Sequence, residues 1–341
     1  MDDELIGATL HTNHAGPLRL VAELAHGSEG AVLTTDQAGW LVKVYDPWVA
    51  PEESLPLLRR QKARAYRTFA HLRLERSPAL AALPLEPVTA PGQRPGYLMR
   101  LAPGRLLSTA LAEAKSHPLP LAERLALAHA LAQAVERLHS SQIVHADLKP
   151  DNFMVEGLMR SRADAGRGEP RVYVLDIDGG GYRGPTHPGR LDVIVPSAVP
   201  SGLCAVPELA QSARWETLWP QPSLVFEPDL WGLAVLIYCI LVDSDGPFPT
   251  RPRRALPPGL PAYDPYAPRE WAGDSTWPKP WQAALMAAQP IASALMQGFR
   301  RVFDGPRDRV RGGRPRLPAA EWRKRLAALS RGAVLVSCRE K

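Results

Sequence analysis

The stretch His145-Ala146-Asp147-Leu148-Lys149-Pro150-Asp151-Asn152 constrains this chain more than any other. It is polar, and it sits between two segments of regular pattern. Before it, Leu121, Leu125, Ala128, Leu131, Val135 and Leu138 recur at the three/four spacing of a core-facing helix over Leu121–Ser140. After it, Phe153–Val155 reads as a short strand. A polar run so placed is a loop that brings a carboxylate, a cation and an amide close together. The residue types are also rare here: the 341 residues include only seven lysines and two asparagines. Abundant Arg and Ala with 36 prolines look like a coding bias, so a retained Lys149 and Asn152 in one loop stand out.

Composition bounds the rest. Hydrophobic residues make up 45% and charged residues 22%, as in an ordinary globular protein of one or two domains. The longest apolar run, Leu230–Val242, is shorter than the ~20 residues that span a bilayer. No membrane association is therefore expected. The start, Met1-Asp2-Asp3-Glu4, does not read as a secretory signal. Cys204, Cys239 and Cys338 are odd in number and lack metal-ligand spacing, which points to a reducing, cytoplasmic setting. The net charge of +6 is uneven, because residues 300–341 carry +9 and the remainder −3. A solvated Arg-rich helix explains that tail better than a nucleic-acid surface does, so nucleic acid is not an expected partner.

The first hundred residues alternate as short strands around one helix. Pro17–Leu24 and Ala31–Thr35 flank a Gly/Ser turn, and Trp40–Tyr45 is a third strand. Glu52–Arg73 reads as a helix, with Pro84–Val88 and Tyr97–Leu101 as two further strands. Beyond residue 101 helices dominate. Arg171–Leu175 is a strand after an exposed loop at Leu158–Pro170, and Asp229–Val242 is a buried helix. Pro247–Pro280 is an irregular excursion, and Trp281–Val302 and Pro318–Ser330 are closing helices.

The loop at His145–Asn152 resembles the catalytic loop of protein kinases, H-R-D-x-K-P-x-N. The resemblance implies that Asp147 orients the attacking hydroxyl and accepts its proton. Lys149 would offset charge on the γ-phosphate, Asn152 would hold a metal ion, and His145 would support the loop. Ala146 departs from the pattern, because the family Arg at this position pairs with a phosphate on the activation segment. A lysine two residues after the aspartate is similar to the serine/threonine-specific members.

Two further stretches resemble the same family. In Leu24-Ala25-His26-Gly27-Ser28-Glu29-Gly30-Ala31-Val32, Gly27 and Gly30 match the Gly-rich loop that lets backbone approach phosphates, and Ala25 stands at its first glycine. Lys43, in Leu41-Val42-Lys43-Val44-Tyr45, resembles the strand lysine that holds the α- and β-phosphates. Met99 before the hinge completes the implied ATP-binding set. The family's helix glutamate is not assigned: between Glu53 and Glu75 the sequence holds no acidic residue, so either Glu53 or Glu75 reaches Lys43 by a shifted helix or the pair is absent. In Val174-Leu175-Asp176-Ile177-Asp178-Gly179, D-I-D-G stands where the family has D-F-G. Asp176, directly after its strand, is taken as the second metal ligand, and Asp178 is the alternative.

The framework residues match as well. Pro207-Glu208 resembles the end of the activation segment, Asp229 resembles the residue that braces the catalytic-loop backbone, and Arg314 resembles the partner of Glu208. The implied fold is α+β and two-lobed, with a small β-rich N-lobe over residues 1–101 and a larger helical C-lobe over 102–330, followed by a tail at 331–341. The implied function is transfer of the ATP γ-phosphoryl to Ser/Thr of a protein substrate, with Mg²⁺ or Mn²⁺. The Asp-x-Asp departure is similar to a bacterial branch in which some members are encoded beside phosphatase-like partners. A pseudokinase scaffold and a small-molecule kinase of the same fold are the alternative readings.

Overall fold

The computed structural model describes residues 4–27, 29–47, 83–158, 169–187, 190–194, 204, 225–242, 291–303 and 316–339. Two compact units emerge. One comprises Met1–Pro103 with Tyr173–Asp178 and Tyr182–Ile194; the other comprises Gly104–Val172 with Gly179–Gly181 and Val195–Lys341.

The first unit is built on strands β1 (Thr9–Thr12), β2 (Gly16–His26), β3 (Gly30–Thr35), β4 (Trp40–Tyr45), β5 (Glu86–Ala90) and β6 (Arg94–Arg100). They form one sheet in the order β1-β2-β3-β4-β6-β5, with antiparallel neighbours. The sheet has two different faces because side chains alternate along each strand. Leu18, Leu20, Leu33, Val42, Val44, Val88 and Leu98 fill an apolar core on one face, joined by Leu5 and Leu10. Leu41, Tyr45, Tyr97 and Met99 cluster on the other. Lys43 lies between Leu41 and Tyr45 in the strand alternation, so the second face carries the lysine. Burying each aliphatic side chain on the first face contributes about 1.5–3 kcal/mol before the entropy cost, which makes that face the anchor of the sheet.

Strand β4 matches the sequence expectation at both ends, whereas β5 and β6 are displaced from it by a few residues. The predicted helix over 52–73 lies outside the described residues, as does the excursion over 247–280. Strand β1 is an addition that its four residues do not announce.

In the second unit, strand β7 (Arg105–Leu106) precedes helices α1 (Leu107–Ser116) and α2 (Leu121–Ser140). Strands β8 (Ile143–Val144) and β9 (Phe153–Glu156) bracket the polar loop, and β9 pairs with β7. Strand β10 (Arg171–Val174) begins in this unit and ends in the first, ahead of Asp176, and β11 (Gly181–His187) and β12 (Arg190–Ile194), which belong to the first unit from Tyr182 on, form an antiparallel hairpin. Helices α3 (Glu227–Val242), α4 (Ile291–Phe303) and α5 (Ala319–Arg339) complete the described elements. The 20-residue α2 buries Leu125, Leu131, Val135 and Leu138, as its periodicity requires, and packs on α3 and α5. Aromatic contacts join α4 to its neighbours: Phe299 lies 4.9 Å from Trp322 and 5.4 Å from Tyr238 between ring centroids. Gly298 makes room for the Trp322 ring. The last helix continues to Arg339, past the expected end at Ser330. No helix among the described residues is long and apolar enough to cross a membrane.

Candidate functional site

The polar loop is held from below by one residue. Asp229, in the first turn of α3 and wholly buried, accepts the backbone N–H of His145 and of Ala146, each at 2.8 Å. The imidazole of His139 adds a contact at 3.1 Å. The loop backbone needs this support because it is strained, with Ala146 at φ 73°. His145 is itself buried, and its Nδ1 accepts the Asp147 N–H at 3.3 Å. Leu148 closes the underside against Gly232, where a Cβ would lie 3.0 Å from the leucine side chain.

Above this base the side chains converge. Lys149 Nζ lies 2.6 Å from Asp147 Oδ2. Asn152 donates its amide to the Asp147 carbonyl at 2.8 Å and to Oδ2 at 3.3 Å. Asp147 Oδ1 is buried and has no hydrogen-bond partner among the described residues. One carboxylate oxygen is therefore occupied and the other is open. With the Asn152 amide nitrogen committed, its carbonyl oxygen is left as a free acceptor. A short turn at Pro150–Asn152 orients this amide, and the strand β9 follows at once.

In the strand-rich unit, the β2–β3 hairpin is closed by the Gly27 N–H on the Gly30 carbonyl at 2.9 Å. Gly30 faces Tyr45 across β3–β4, and a Cβ there would overlap the Val44 carbonyl. Below the hairpin, Asp46 accepts from Arg94 at 3.3 Å and contacts His26 at 3.1 Å. The hydrogen bond to Asp46 holds the His26 pKa above its ordinary value.

Lys43 is almost completely buried. Its Nζ lies 2.6 Å from Asp176 Oδ1 and 3.2 Å from each oxygen of Asp178. Burial opposes its charge, but the Asp178 and Asp176 carboxylates outweigh that effect and raise its pKa above the ordinary lysine value. Asp178 also accepts from the hydroxyls of Tyr45 and Tyr97. Asp176 is half-exposed and turns the chain at φ 52°. Met99 is buried beside these residues, opposite Leu41 in register.

Sequence reasoning singled out Lys43, Asp176 and Asp178 but left the lysine without a partner; the structure joins all three. It missed Tyr45 and Tyr97. Their signal was available, since Tyr45 is two residues from Lys43 in a strand and so shares its face. Glu208 and Arg314 lie outside the described residues. Among the described residues the arginine buried ahead of the last helix is Arg316, whose Nη1 lies 2.7 Å from Glu227 Oε2. The expected pairing of Arg314 with Glu208 is therefore a reading of the sequence alone, and the Arg316–Glu227 pair is one that reading did not name.

Asp176 in the first unit and Asn152 in the second each present an oxygen donor of the kind that suits a hard cation such as Mg²⁺ or Mn²⁺. Among the described residues no group of three or more His, Cys, Asp or Glu side chains could hold a metal.

No model of a known protein family matches the sequence. The chain is 32% identical over 183 residues to a mouse protein named serine/threonine-protein kinase SBK2, and 31% identical over 183 residues to its human counterpart. Each match covers 52% of this chain, but only 42% and 44% of those relatives' own lengths. Among solved structures, the kinase domain of Mycobacterium tuberculosis PknI aligns over 95% of this chain and 98% of its own, with a TM-score of 0.54 and 18% identity. The BubR1 kinase domain aligns over 98% of this chain and 90% of its own, with a TM-score of 0.54 and 15% identity. At such identities these two structures establish the fold.

Proposed function

We propose that the chain, which has the fold of protein kinase domains and is similar to serine/threonine-protein kinase SBK2 over half its length, transfers the ATP γ-phosphoryl group to a serine or threonine hydroxyl of a protein substrate. The observation that carries this reading is the divided carboxylate of Asp147. Lys149 and Asn152 occupy Oδ2, while Oδ1 is buried and open. A hydroxyl entering there meets an acceptor that is already oriented and shielded from bulk water. Asp147 Oδ1 orients the hydroxyl and takes its proton as the oxygen attacks phosphorus. Lys149, already beside that carboxylate, offsets the charge that develops on the transferred group.

Lys43 holds the α- and β-phosphates, and the hairpin backbone approaches them at Gly27 and Gly30, which carry no side chain. Asn152 and Asp176 would hold Mg²⁺ or Mn²⁺. Bound there, the cation would neutralise phosphate charge and fix the phosphate orientation. The choice of serine or threonine rests on Lys149, two residues after Asp147, and on the names of the SBK2 relatives. His145 and Asp229 are positioning residues that act through the loop backbone.

The test is Asp147→Asn, assayed with labelled ATP, Mg²⁺ and a mixed Ser/Thr peptide library. Turnover should fall roughly 10²–10⁴-fold, the usual contribution of a general base. Nucleotide affinity, measured by calorimetry, should change little. Unchanged turnover would remove the reading.

A further inference from the structure

The face of β4 that carries Lys43 also carries the means of holding it. We propose that Asp178, clamped by the hydroxyls of Tyr45 and Tyr97, is the residue that positions Lys43, taking the place of a helix glutamate. This inference rests on the reading of Lys43 as a phosphate-binding residue.

Three observations converge. First, the sequence has no acidic residue between Glu53 and Glu75, where the family's lysine partner would be expected. Second, Asp178 is built as a fixed partner. Its side chain is 1% exposed, and both its oxygens lie 3.2 Å from Lys43 Nζ. A buried carboxylate needs several donors to offset its lost hydration, and the Tyr45 and Tyr97 hydroxyls supply them. Third, the strand geometry brings these groups together. Tyr45 follows Lys43 by two residues, and Tyr97 is the direct cross-strand partner of Lys43. The ammonium lies 5.5 Å from the Tyr45 ring centroid and 5.9 Å from that of Tyr97.

Asp176 differs in each respect. Its side chain is 48% exposed, and it touches Lys43 through Oδ1 alone. One carboxylate is enclosed and fully engaged; the other is reachable and has an oxygen to spare. The two acids of D-I-D-G thus divide the work, with Asp178 holding the lysine and Asp176 available to a cation.

The experiment uses the full chain and an acyl-phosphate derivative of ATP, which acylates an amine that reaches its phosphates. Modification of the Lys43 peptide is followed by mass spectrometry at fixed pH, alongside kcat/KM for ATP and the melting temperature. Displacing the ammonium by about 1 Å should slow Lys43 acylation and lower kcat/KM on the order of 10²-fold in Asp178→Asn. Tyr97→Phe removes only a hydroxyl, so it should fold like wild type and show the same change to a smaller degree. It carries the test if Asp178→Asn does not fold. Lost stability in folded Asp178→Asn and Tyr97→Phe with unchanged acylation would overturn the inference, leaving Asp178 a purely structural acid. No acylation of wild-type Lys43 would instead overturn the phosphate-binding reading, and the inference with it.

Discussion

Asp229 Oδ2 accepts the backbone N–H of His145 at 2.8 Å from a helix that begins more than 80 residues later in the chain. The loop that carries Asp147 is therefore hung from α3, although it is joined covalently to α2. Its geometry depends on a carboxylate that touches none of the reacting groups.

The first prediction concerns this brace. Asp229→Ala should leave the N–H groups of His145 and Ala146 buried and unpaired, at about 1–3 kcal/mol each. Asp229→Asn keeps one acceptor oxygen and should lose less. Urea unfolding of the two variants checks the order.

A second prediction concerns Arg316 and Glu227. Arg316 is wholly buried, donates its backbone N–H to Glu227 Oε1 at 3.0 Å, and lies 5.2 Å from the Trp231 ring centroid. Removing one partner of a buried pair typically costs roughly 3–5 kcal/mol, because a charge is left behind. Arg316→Met and Glu227→Gln should each approach that loss. The double variant should be more stable than the sum of the two implies, which a double-mutant cycle in denaturant measures.

A third concerns pH. Burial opposes ionisation of Glu86, but hydrogen bonds from the backbone N–H of Asn13, the His14 side chain and the His14 backbone N–H outweigh it and hold its pKa below the ordinary 4.5. A folded pKa below the unfolded one contributes stability above about pH 4.5, and this is lost as pH falls through the folded value. Glu86→Gln should therefore be less stable than wild type near neutrality, with the gap closing below pH 4.5. Thermal melts across an acid series follow it.

A fourth concerns regulation. Ala146 is buried against Val144, Val225 and Phe226, and its side chain offers no cation to an activation-segment phosphate. Treating the purified protein with a phosphatase should leave its initial rate of phosphoryl transfer little changed. A large loss would mean that another residue receives a phosphate.

What the sequence determined by itself is the local chemistry and its punctuation. The spacing in Leu121–Ser140 requires an amphipathic helix, the largely apolar run of Trp40–Tyr45 reads as a buried strand, and the polar run His145–Asn152 reads as a loop between that helix and the strand at Phe153–Val155. These follow from periodicity and residue type, which act over a few neighbours. The partners of the charged groups are different. Lys43 meets Asp178 across 135 residues and Arg316 meets Glu227 across 89, distances over which no local pattern carries information. Asp176 and Asp178 are nearly alike in sequence. Only burial separates them: one carboxylate is enclosed with two tyrosines while the other stays half-exposed. A buried charge is stable only beside its partner, so the tertiary structure decides which acid holds Lys43.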